Sequence, residues 1–135
     1  MMKGLIGYES AFRNYVRALI EDFVEDNIQY AETRPNFMTT NHVRTDDGSR
    51  AIDNEGIMNI IDEEIKAIVE KLKTEGKYFG GMKVIHTSPR SFSRDKIKIA
   101  LDECVDLKLK YPHLICGMVI APTSYNARAD RNPRI

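Results

Sequence analysis

Glu32 and Arg34 stand two residues apart in the run Ile28-Gln29-Tyr30-Ala31-Glu32-Thr33-Arg34. The period of that run is two, so strand alternation puts a carboxylate and a guanidinium on one face together with Ile28 and Tyr30. Two roles suit the pair. They close the face as an ion pair, or Glu32 serves as a substrate-facing hydrogen-bond acceptor at the C-terminal end of a parallel strand. The other residues with chemical potential are scattered. Hydrolytic metal sites need two or three His or carboxylate ligands at a spacing one element can present, such as His-x-His on a strand. His42, His86 and His113 are each isolated, so each is read as a satisfied or solvated imidazole, and no complete metal site is expected. Ser88, Ser91 and Ser93 flank Pro89 without a Gly-x-Ser-x-Gly elbow and read as turn and cap residues. Cys104 and Cys116, twelve residues apart, fit neither a disulfide framework nor a short-spaced zinc motif and are expected to be two buried thiols.

The global chemistry excludes several classes. The chain has 135 residues with twenty Lys+Arg against twenty Asp+Glu, so no overall field draws it to phosphate backbones or anionic membranes. Neither nucleic acid nor membrane is an expected partner. No apolar run approaches the roughly 18 residues that span a bilayer, and the first residues lack the apolar stretch of a signal peptide. The cytoplasm is the default compartment on that ground. With 42% hydrophobic and 30% charged residues, the composition is that of one ordinary globular domain.

Six elements would have to position these residues. Phe12, Tyr15, Val16, Leu19, Ile20, Phe23 and Val24 recur at helical steps, with Arg13, Arg17, Glu21 and Glu25 between them, which predicts a helix over 9–26. A strand follows at 28–34 and stops at Pro35. Residues 35–52 have no period and are read as a long loop. A second helix, capped by Asp53 or Asn54, buries Ile57, Ile60, Ile61, Ile65, Ile68, Val69 and Leu72 and ends at Gly76, with Asp62 and Lys66 on its solvated face. Gly80-Gly81 punctuates before a strand at 82–87, ended by Ser88-Pro89. A third helix, capped by Ser91 or Ser93, runs to Tyr111 with Ile97, Ala100, Leu101, Cys104, Val105 and Lys108 on one side. The strand 113–121 is apolar on both faces, as if covered on both sides, and 122–135 reads as a loose polar tail.

The order αβαβαβ, with long crossovers, makes the strands parallel neighbours. Either an open doubly wound sheet or an arc of a (β/α)8 barrel fits it. A strand face ending in Glu32 and Arg34 suits a barrel mouth, and no Gly-x-Gly-x-x-Gly or Walker-type loop marks a dinucleotide or NTP site.

Several pieces together carry a resemblance. They are Phe23-Val24-Glu25-Asp26-Asn27-Ile28-Gln29-Tyr30-Ala31-Glu32-Thr33-Arg34, Gly80-Gly81-Met82-Lys83-Val84-Ile85, Ala100-Leu101-Asp102-Glu103-Cys104, and Tyr111-Pro112 with Ile115-Cys116-Gly117. Over residues 9 to about 118 the chain resembles the adenosine deaminase superfamily, in particular its adenosine deaminase-related growth factor branch as found in fungi. That resemblance implies a zinc-dependent hydrolase on a (β/α)8 barrel that converts adenosine to inosine and ammonia. It places 27–34, 81–87 and 114–120 at barrel strands two, three and four, domain 1–121 being the segment concerned. Glu32 would then face an adenosine-type nucleoside and accept a hydrogen bond from its ribose. Arg34 becomes a structural partner, and the loop after it would lie over the pocket. The branch is often secreted, which leaves the compartment open.

The departures are as informative. The family's His-x-His, His-x-Gly-Glu, later histidine and Asp-Asp pair have no counterpart in these residues. Where the family reads Gly-Phe-Asp-Leu-x-Gly, this chain reads Gly117-Met118-Val119-Ile120-Ala121-Pro122. The expectation is a truncated or mis-spliced product, inactive alone, with no zinc bound by this chain by itself. The alternative is a non-catalytic interaction module that self-associates or pairs with a partner chain through an exposed apolar sheet face.

Overall fold

A computed structural model describes residues 6–35, 37 and 43–121. Six elements alternate along it: α1 (Glu9–Glu25), β1 (Ala31–Thr33), α2 (Asn54–Thr74), β2 (Met82–Pro89), α3 (Arg94–Lys110) and β3 (Ile115–Ala121). The expected tail 122–135 and His42 lie outside the described residues. The strands form one parallel sheet in the order β1-β2-β3. Ala31, Glu32 and Thr33 sit opposite Met82, Lys83 and Val84. The approach of β1 to β2 depends on Gly80, whose amide donates to the Gln29 carbonyl at 2.6 Å. A Cβ there would lie 2.9 Å from that oxygen, and Gly81 follows at φ +120°, a backbone state that costs glycine little.

Burial along β2 alternates strictly: Met82, Val84, His86 and Ser88 are buried, and the residues between them half-buried. Met82 and Val84 pack with Val16 and Ile20 of α1, with Ile57, Met58, Ile61, Ile68 and Leu72 of α2, and with Cys104 and Leu107 of α3. All three helices therefore lie on one face of the sheet. The fold is α/β, three parallel strands with helices on one face, and it fits an arc of a (β/α)8 barrel. A doubly wound sheet would need helices on both faces, and among the described residues the second face has none.

Helix packing is anchored by a charge cluster that the sequence pattern assigns to solvent. The Glu64 side chain is 4% exposed and accepts from Arg13 Nη1 at 3.0 Å, from Arg17 Nη2 at 3.1 Å and from Arg17 Nε. Burial pushes the Glu64 carboxyl up, and the two guanidinium groups outweigh that and hold it below its ordinary value. Asp62 is likewise buried, not solvated, and bonds Lys66 at 2.5 Å and His113 Nε2 at 2.7 Å.

Other boundaries move. β1 is only three residues long, and β2 continues through Ser88 and Pro89, which pair with Ile120 and Ala121. β3 begins at Ile115, because Lys108 Nζ bridges the carbonyls of Pro112 (2.9 Å) and Ile115 (2.5 Å) and holds 112–114 as a turn. Among the described residues it is an edge strand without two-sided cover, and Ile120 is 47% exposed. A register shift between Val84 and Ile85 leaves Cys116 as the extra residue of a bulge. Cys116 is consequently exposed, whereas Cys104 is buried as expected. On α3 the buried side is Ala100, Cys104 and Leu107, with Leu101 and Val105 outside. In the long loop, Asp46 accepts from both the amide (2.9 Å) and hydroxyl (2.8 Å) of Ser10, and so caps α1, whose own Tyr8 provides no cap. No helix among the described residues is long and apolar enough to cross a membrane.

Candidate functional site

The face of the sheet away from the helices carries the residue singled out by its type and position. Glu32 pairs in register with Lys83, which puts it on the uncovered side with Ile85 and Thr87, and it is exposed. The Tyr30 hydroxyl donates to Glu32 Oε1 at 3.1 Å. Desolvation, then the bond to Glu32, raises the Tyr30 phenol above its ordinary value, so it holds its proton at neutral pH and orients the carboxylate as a donor. One Glu32 oxygen is thereby occupied, and the other remains able to accept from an incoming hydroxyl or amine.

Arg34 does not complete this group. It is exposed, but no ion pair joins it to Glu32, because β1 ends at Thr33 and the strict alternation that would keep Arg34 beside Glu32 ends there. The ion-pair reading of the two residues is therefore overturned. The face is also more polar than an apolar barrel interior: beside Ile85 and Val119 it presents Tyr30, Glu32, Lys83 and Thr87. The large exposed apolar residues cluster instead on α3, with Leu101, Val105 and Leu109 48%, 50% and 76% exposed.

His86 and His113 stand apart, each with its own carboxylate. His86 points to the helix side, is 1% exposed and lies 3.3 Å from Glu103 Oε2; His113 meets Asp62 across the α2–β3 junction. Among the described residues no three His, Cys, Asp or Glu side chains gather where they could hold a metal ion, so these residues do not fit the zinc that the resemblance implies. Sequence reasoning missed the grouping of Asn54, His86 and Glu103. One signal was present: Glu103 lies three residues after Ala100 and four before Leu107, a carboxylate on the buried stripe of α3.

Comparison with known proteins adds an independent line. No family model matches the chain. It is 26% identical over 116 residues to adenosine deaminase 2 of Homo sapiens, which covers 86% of this chain and 21% of that protein. The corresponding protein of Sus scrofa is 23% identical over 119 residues, with the same coverage. The similarity supports an adenosine deaminase-like relationship. The chain spans about a fifth of the length of these relatives.

Proposed function

We propose that this chain is the nucleoside-facing arc of an adenosine deaminase-like barrel of the growth-factor type, and that Glu32 is its ribose-binding acceptor. The observation that carries this reading is the position of Glu32: on the uncovered sheet face, near the C-terminal end of a parallel strand, beside Lys83 in register and oriented by the Tyr30 hydroxyl. A carboxylate so placed accepts hydrogen bonds from vicinal hydroxyls, and each hydroxyl it serves gives up water in exchange. On this reading the arc supplies binding and orientation. The 135-residue chain by itself is inactive as an amino-hydrolase, since its histidines stand singly and its fourth-strand position has Val119 in place of an aspartate.

Calorimetric titration with adenosine and 2′,3′-dideoxyadenosine tests the binding role. Adenosine is expected to bind weakly, the dideoxy analogue several-fold more weakly still, and Glu32→Ala should erase the difference. Equal affinity of the unaltered chain for both nucleosides would reject Glu32 as the ribose acceptor.

A second reading is favoured by the exposed Leu101, Val105 and Leu109 stripe and the open β3 edge. In it the chain is a non-catalytic module, and a further strand-helix unit of a partner chain covers both features. Sedimentation of Leu109→Lys against the unaltered chain distinguishes it: loss of self-association would support the module, and monodisperse behaviour of both would not.

A further inference from the structure

Both ends of the sheet are open, and they differ in kind. Among the described residues β1 and β3 have one strand neighbour each, and an edge strand leaves a row of backbone N–H and C=O groups unpaired. At the β1 end, one side of α1 belongs to α2: Arg13 and Arg17 bond Glu63 and Glu64, and Glu21 bonds Lys71. Helical spacing puts Phe12, Tyr15 and Leu19 on the other side, where with Phe23, Thr33 and Pro35 they line a groove of about 330 Å³. Asp22 and Asp26 continue that free side toward the C-terminal end of α1. Both are exposed, and no ion pair of the described residues includes either.

At the β3 end the helix lies inboard. α3 packs on both β2 and β3 and so covers the seam between them. Glu103 and Lys110 bond Asn54 and Glu55 and turn one side of α3 to α2. The opposite side carries the exposed Leu101, Val105 and Leu109, with Arg94, Lys98 and Lys108 beside them. The Lys108 ammonium bonds only backbone carbonyls, so its charge faces no carboxylate there.

The two free sides complement each other. α1 and α3 have 17 residues each, and each leads into a strand of one parallel sheet, so they run in the same direction. One free side is apolar with an acidic end, and the other is apolar with a basic margin. Among the described residues, no strand fills the groove beside α1 and no helix covers the outer side of β3. One copy cannot join its own two sides, because β2 holds β1 and β3 apart.

We infer, resting on the module reading, that the partner is a second copy of this chain joined head to tail. β3 of one copy pairs in parallel with β1 of the next, and α1 of the next copy covers that seam as α3 covers the seam inside the chain. With the two helices level, Phe12, Tyr15 and Leu19 meet Leu101 and Val105, and Asp22 and Asp26 meet Lys108. Such an interface is heterologous, so every added copy presents the same two free sides, and assembly continues past the dimer unless a ring closes.

Sedimentation velocity of two one-sided variants and their mixture tests this. Tyr15→Lys blocks the α1 side and Val105→Lys the α3 side; these positions are 44% and 50% exposed, and the far-UV circular dichroism of each variant should match that of the unaltered chain. The unaltered chain should grow past the dimer with concentration, and each variant alone should stay monomeric. Their equimolar mixture should double in mass and stop there, because one intact side of each kind remains. A second measurement needs no substitution: carbodiimide should cross-link Asp22 or Asp26 of one copy to Lys108 of the next. A mixture that stays monomeric, a single variant that dimerises, or oligomers without that cross-link overturns the head-to-tail geometry while the module reading stands; a monomeric unaltered chain overturns both. Glu32→Ala should leave assembly unchanged, which keeps this test separate from the nucleoside reading.

Discussion

Replacement of Glu64 by glutamine tests the charge cluster that fixes α1 against α2. The carboxylate takes three hydrogen bonds from Arg13 and Arg17, and its side chain is 4% exposed. Truncating one member of a fully buried ion pair costs about 3–5 kcal/mol because the other charge is stranded. Here the guanidinium groups are not stranded: the Arg13 and Arg17 side chains are 26% and 50% exposed, and Arg13 keeps Glu9 at 3.1 Å and Glu63 at 2.9 Å. The loss is then closer to that of hydrogen bonds to a charged group, about 2 kcal/mol. At roughly 3–4 °C per kcal/mol for a domain of this size, the melting temperature at pH 7 should fall by about 6–8 °C. The pH dependence is the sharper signature. Glu64 has a depressed carboxyl in the folded state, so its contribution is complete above the unfolded value near 4.5 and is lost as pH falls through the lower folded value. Thermal melts of Glu64→Gln and the unaltered chain should therefore converge below pH 4. A melting difference under 1 °C at pH 7, or one that persists unchanged at pH 3, would refute the assignment.

Other outcomes follow from the same geometry. Leu107→Ala should cost about 2–5 kcal/mol and Leu109→Ala less than about 0.5, in chemical denaturation, because the first is buried and the second faces outward; similar values would mean that α3 is rotated. With a maleimide, Cys116 should be labelled in the native state and Cys104 only on unfolding, since burial both covers the Cys104 thiol and raises its pKa, and mass spectrometry of a native digest reads the order directly. Asp46→Ala should speed hydrogen exchange at the Ser10 amide and fray the start of α1, while helix signals beyond the first turn persist. The Asp47 carboxyl, held down to about 2 by the Thr45 hydroxyl and then Ser49, keeps the 45–50 turn intact above pH 4 and should release it as the pH is taken toward 2, visible as a change in the Gly48 amide resonance.

How far these residues could be read in advance depends on what sets each feature. The αβαβαβ order and the parallel sheet follow from local periodicity, and Gly76 and Gly80-Gly81 mark ends that backbone geometry enforces. The placement of Glu32 on one face with Tyr30 is also local, since alternation alone decides it. What tertiary contact decides was not legible. Arg13, Arg17, Asp62 and Glu64 look like solvated helix charges until two helices bring opposite signs together. Cys116 looks like a core thiol until a bulge turns it outward. Apolar composition suggests two-sided cover of β3, yet among the described residues this edge strand has neighbours on one side only. Asn54 and His86 meet through Glu103, forty-nine and seventeen positions away in sequence, a separation that no periodic signal spans.

We propose that this chain contributes a nucleoside-facing arc and not a complete amino-hydrolase centre. Metal analysis of the purified chain after zinc loading and dialysis, coupled to an ammonia-release assay with adenosine, tests it most directly. No stoichiometric zinc and no ammonia above the buffer rate are expected; one equivalent of retained zinc accompanied by turnover would overturn the proposal.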